Sequence, residues 1–164
     1  MNKDRQQLKH LFQFDLWCTR KLTNLYFKHE PFAQQEAILA FISHIINAQK
    51  IWFQRMMPLP FFDDIDVWFE YTPEEVKNEA KQTSQLWMDL LEDTDVDLDK
   101  KVTYQNPAQI TYQNSIRNVC HHLIIHGQHH RAQISIFLKN CDITPPSIDY
   151  IHFARSKNIA RNLS

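Results

Sequence analysis

Apolar residues recur at three- and four-residue spacing along four long segments of this chain, which is the period of one face of an α-helix. From Lys3 to Lys28 the repeating positions are Leu8, Leu11, Phe12, Leu22, Leu25 and Tyr26. Pro31 then punctuates the chain, and a second segment from Phe32 to Met57 carries a stripe of Ile38, Phe41, Ile45, Ala48, Trp52 and Met56. Pro58 and Pro60 end it, because proline disfavours helix in the residue before it. The third segment opens on a stronger signal. Thr72 is placed as N-cap, Pro73 at the first helical position, and Glu75 to close a capping box. Val76, Ala80, Thr83, Trp87, Leu90 and Leu91 give its inward face, and it frays into the acidic run "EDTDVDLDK". The fourth segment starts at Asn114 or Ser115 and runs to Asn140, with Ile116, Val119, Leu123, Ile134, Phe137 and Leu138 inward.

The stretches between these segments are less regular. "VTYQNPAQITY", residues 102–112, alternates apolar and polar positions around Asn106 and Pro107, as a small hairpin or an extended crossover would. "FFDDIDVWFEY" is aromatic and acidic. It can cap a small-molecule pocket, meet a partner subunit, or pack against the end of the helices. Two prolines keep "CDITPPSIDYI" extended, and the last dozen residues are polar enough to fray or to form a short helix. Four helices of about 20 to 25 residues predict an all-α fold. The expected arrangement is a four-helix bundle over residues 1–152 with a long crossover before the last helix, followed by a polar tail at 153–164.

Composition narrows the classes. A chain of 164 residues is the size of one domain. A formal net charge of −1, with no run of one sign, lacks the basic footprint of a nucleic-acid binder. No apolar run reaches the length of a membrane span, and the first residues are too polar for a secretory signal, so a cytoplasmic protein is expected. Cys18, Cys120 and Cys141 form no CxxC pair, which points to a reducing compartment.

Candidate chemistry lies in the histidines. The chain has nine, and His121, His122, His126, His129 and His130 fall on the fourth segment. Residues four apart stack on one helical face, so His126 and His130 can both reach one ion. That spacing is right for a metal but also common on surfaces. His122 lies a further turn back, rotated by roughly 80° from His130, and is expected to support the site or the core without being a ligand. His121 and His129 should face solvent. A third ligand must come from another helix, and His44 borders the apolar stripe of the second segment. A buried imidazole there needs a partner, which is a shared metal or an ordinary core hydrogen bond. The only glycine, Gly127, sits among these histidines although glycine inside a helix costs about 1 kcal/mol relative to alanine. Either it clears space beside a ligand for a helix or a bound molecule, or it serves tight helix packing.

"HLIIHGQHHRAQI", residues 122–134, resembles the last-helix signature of the DinB/YfiT-like family, H-x-x-x-H-G-x-H-H-R-G-Q, with Ala132 where glycine is usual. "SHIINAQKIWFQR" and "PPSIDYI" are similar to the family's second-helix and closing segments. "FDLWCTRKL" is similar to its first-helix "YNxWAN" element, but with Asp15 and Thr19 where asparagines are usual. The resemblance implies a four-helix bundle holding one divalent metal, zinc or nickel before others, through His44, His126 and His130. It also implies a homodimer.

Three neutral imidazoles leave open coordination positions, the catalytic type of site. Relatives that use low-molecular-weight thiols make a thiol-dependent S-transferase one expectation, and a hydrolase a variant of it. Arg131 is then a candidate for holding an acidic cofactor, with a structural salt bridge as its alternative. A non-catalytic metal-binding or stress-response accessory protein is the competing class.

Overall fold

A computed structural model of the chain describes residues 3–29, 31–57, 65–106 and 108–162, with side chains through residue 156. The capping signal at Thr72 is built as the sequence spells it. The Glu75 amide donates to Thr72 Oγ1 at 3.3 Å, and the Glu75 carboxylate accepts from the Thr72 amide at 2.9 Å. Two of the donors that a helix start leaves unpaired are thereby satisfied, and α3 runs Pro73–Glu92 from that point. α1 spans Lys3–Lys28 and α2 spans Gln35–Met56. α2 starts later than Phe32 because the backbone turns first: the Gln35 amide donates to the Phe32 carbonyl, and Gln34 takes a left-handed conformation at φ 64°. Pro58 and Pro60, read as its stop signal, lie outside the described residues, as does Pro107.

The stretch after α3 resolves as a hairpin. β1 (Lys101–Gln105) pairs antiparallel with β2 (Thr111–Ser115), Val102 facing Asn114 and Tyr104 facing Tyr112. The Asn106 side chain accepts from the Ile110 amide at 2.9 Å and helps close the turn. β2 leads straight into α4 (Ile116–Asn140), whose N-cap Ser115 accepts from the Asn118 amide at 3.2 Å. The acidic run before β1 is anchored more than its charge suggests. Leu98 is buried, and Arg5 donates to the carbonyls of Asp93 and Val96.

α1 packs on α3 and α4, and α2 packs on α4 and α3. The core divides into two main apolar clusters. One gathers Phe12, Trp87, Leu91, Val119 and Leu123 toward the hairpin, and the other gathers Leu22, Ile38, Ile42, Val76, Ile134 and Leu138. The closing residues are helical: α5 covers Tyr150–Asn162 and sets Phe153, 1% exposed, against Phe14 and Cys18 of α1. No helix among the described residues is long and apolar enough to cross a membrane.

Candidate metal centre

α2 and α4 lie against each other, and one inward position of α2 meets two of α4. There the structure brings His44, His126 and His130 together, with one ligand nitrogen from each lying within 4.8 Å of the others. His126 Nε2 and His130 Nε2 are 3.1 Å apart. Two imidazole nitrogens on a tetrahedral ion, each at about 2.0–2.1 Å, stand roughly 3.3 Å from one another. The α4 pair is therefore already spaced for a shared ion.

Hydrogen bonds behind two of the rings, His44 and His130, leave Nε2 free to face inward. His44 Nδ1 is 3.2 Å from the Val67 carbonyl. A carbonyl only accepts, so Nδ1 carries the proton and Nε2 keeps its lone pair. His130 Nδ1 donates to Gln133 Oε1 at 2.7 Å, with the same consequence. Such outer contacts commonly orient a metal-binding histidine and raise its basicity as a ligand. Burial keeps all three imidazoles neutral, the form that binds metal. His126 is pushed down to about 4 by desolvation first and by the neighbouring histidines second. His44 and His130 are lowered mainly by desolvation, opposed by the bonds to Val67 and Gln133 respectively. The donor set fits a divalent ion of the imidazole-preferring kind, zinc, nickel, copper or iron.

Part of the aromatic stretch covers this site. Trp68 stacks on His44 with ring centroids 4.0 Å apart, and Phe41 approaches both Trp68 and His130. The segment is tied to α2 by polar contacts: Asn47 donates to the Phe69 carbonyl at 2.7 Å, and the Tyr71 amide donates to Ser43 Oγ at 3.1 Å. Phe61, Phe62, Asp63 and Asp64 of that stretch lie outside the described residues.

The other histidines separate from the three. His121 and His129 are exposed, His121 with Nδ1 at 2.9 Å from the Arg117 carbonyl. His122 is not a core residue either. Much of its ring is open, although Trp52 and His126 crowd it closely enough that desolvation lowers its pKa.

Arg131 is held in a buried salt bridge. Its side chain is 1% exposed and turned to α1, where it donates to Asp15 Oδ1 at 2.7 Å, to Thr19 Oγ1 at 2.8 Å and to the Asp15 carbonyl at 3.1 Å. Gln49 of α2 donates to the other Asp15 oxygen at 2.8 Å. The salt-bridge alternative describes this placement, with Nε the one guanidinium nitrogen left without a hydrogen-bond partner among the described residues. Asp15 and Thr19, the two positions that depart from the asparagine pattern, are its partners.

This network also explains Gly127. A β-carbon there would stand 2.8 Å from both Arg131 Nη1 and Asp15 Oδ1. The cleared space is filled by the α1–α4 ion pair, so it does not lie open beside the histidines. Among the residues missed from sequence, Gln133 carried a usable signal, an amide three positions after a ligand candidate. The Val67 carbonyl carried none. Cys18 and Cys120 are fully buried, and burial pushes each thiol up to about 12.

A mainly helical fold with three inward histidines on two packed helices defines a class of helical proteins equipped to bind a metal. Within it, the chain matches the DinB family over residues 5–162 and belongs to that family. No curated protein matches the chain.

Proposed function

We propose that this protein is a metal-dependent DinB-family enzyme that acts on a small molecule. Its four long helices would form the family's four-helix bundle, with the hairpin carried in the crossover before α4. His44, His126 and His130 would hold one divalent ion, zinc or nickel. The observation that carries the reading is the inward convergence of three neutral imidazoles, with no carboxylate from the described residues in the group. Three neutral ligands leave the full charge of the ion in place and coordination positions open. When bound, such an ion lowers the pKa of a coordinated thiol or water and polarises an electrophile. The chain's own part is to fix ligand orientation through Val67 and Gln133, and to shelter the site with Trp68 and Phe41. A low-molecular-weight thiol is the proposed co-substrate, and hydrolysis the alternative reaction. A homodimer in the cytoplasm is the proposed setting, and three unpaired cysteines suit a reducing compartment.

Elemental analysis of protein purified without a histidine tag tests the centre. One zinc or nickel per chain is expected, and its loss in His126→Ala and in His130→Ala. Retention of metal at the wild-type level in either variant refutes the assignment. A panel of thiols and electrophiles given to metal-loaded protein then separates an enzyme from an accessory metal binder.

A further inference from the structure

Beside the histidines, α2, the hairpin and α4 border a half-open cavity of about 170 Å³ lined by Trp52, Tyr104, Asn114, Asn118, Val119 and His122. Trp52 and Tyr104 meet edge to face with centroids 4.7 Å apart. The Arg55 guanidinium lies over both rings, 4.7 Å from Trp52 and 5.1 Å from Tyr104. Each ring is thus held by the other and by the cation, which preorganises an aromatic corner of two rings set at 74°. The Tyr104 hydroxyl donates to Asn114 Oδ1 at 2.8 Å, so the Asn114 amide nitrogen remains available as a donor. Asn118 adds a second amide at the rim. His122 forms the side toward the metal centre, its ring 5.6 Å from Trp52 and 5.5 Å from His126.

The size and chemistry of this cavity select a ligand class. A cavity of about 150 Å³ accommodates benzene. Aromatic walls favour a planar unsaturated group, and the amides favour one that carries a hydrogen-bond acceptor. The Arg55 charge disfavours a cation. We infer that the cavity binds a small planar or aromatic group, neutral or anionic, bearing a carbonyl-type oxygen. We further infer that this group is part of the substrate handled at the histidine centre, its reacting end reaching past His122 toward His126. The second half of the inference rests on the metal-centre reading above, while the first half does not.

Fluorine NMR with para-fluorobenzamide as the probe tests both halves on the full chain. Line broadening is expected with zinc-loaded and with metal-free protein alike. It should vanish in Asn118→Phe, whose ring fills the cavity from an exposed position, and binding should weaken about tenfold in Trp52→Leu. Equal binding by Asn118→Phe and wild type, or no binding by the wild type, overturns the cavity assignment. In cobalt-loaded protein the bound fluorine should relax several-fold faster than in the zinc form. Equal relaxation in the two forms overturns the link to the histidines. Metal content measured on the same samples separates the failures: a chain that holds the probe but no metal keeps the cavity and loses the metal centre, and the link with it.

Discussion

At the scale of single residues, Gly127 shows how two opposing terms are weighed. Alanine there gains up to about 1 kcal/mol of helix propensity. Its methyl would meet Arg131 Nη1 and Asp15 Oδ1 at 2.8 Å. Both atoms end flexible side chains, but the guanidinium is 1% exposed and bound to Asp15 and Thr19, so its retreat would disturb those bonds. Breaking a buried pair costs about 3–5 kcal/mol. Partial disruption therefore outweighs the propensity gain, and Gly127→Ala is expected to lose on the order of 1–3 kcal/mol. Urea denaturation measures this, and metal content should stay at the wild-type level. A more stable variant would show that the ion pair yields easily. His122→Ala is expected to fold and to keep its full complement of metal, because His122 stands outside the group of three. A fall in metal stoichiometry in that variant would make His122 a ligand.

At the scale of elements, the helix boundaries were legible wherever local chemistry sets them. The Thr72 capping box is contained within four consecutive residues, and Thr72→Ala is expected to cost about 1 kcal/mol, read as a fall of a few degrees in Tm. The hairpin was half legible: alternation around Asn106 suits a strand, but only pairing across the turn distinguishes a strand from an extended crossover. The face on which Arg131 lies was not legible. Its i−4 neighbour is the glycine, which let α1 approach, and nothing within α4 says which helix fills that space.

At the scale of the whole molecule, the buried and half-buried histidines make stability depend on pH. The folded chain holds His126 at about 4 and keeps His44 and His130 below their usual 6.5. Between those limits the unfolded chain binds more protons than the folded one. This contribution to metal-free stability is therefore present above pH 6.5 and lost as pH falls toward about 4. The difference in unfolding free energy between wild type and His126→Ala, followed over that range, isolates the histidine share from the carboxylates. A difference independent of pH would contradict the burial argument. Metal binding follows the same protons: zinc should still bind at pH 6 and be released as pH approaches 4.

The sequence by itself determined the helical class, the capping of α3, and the pairing of His126 with His130, because each depends on spacing within one element. It also pointed to His44, through a polar ring bordering an apolar stripe. Only the tertiary structure decided what surrounds these residues. The Val67 carbonyl that sets the His44 tautomer, the Trp68 ring stacked on it, and the Asp15–Arg131 pair filling the space over Gly127 all come from segments distant along the chain. Periodicity shows which face of a helix turns inward. It does not show which neighbour that face meets, since apolar stripes are interchangeable and the polar contacts that distinguish them form only when the helices have packed.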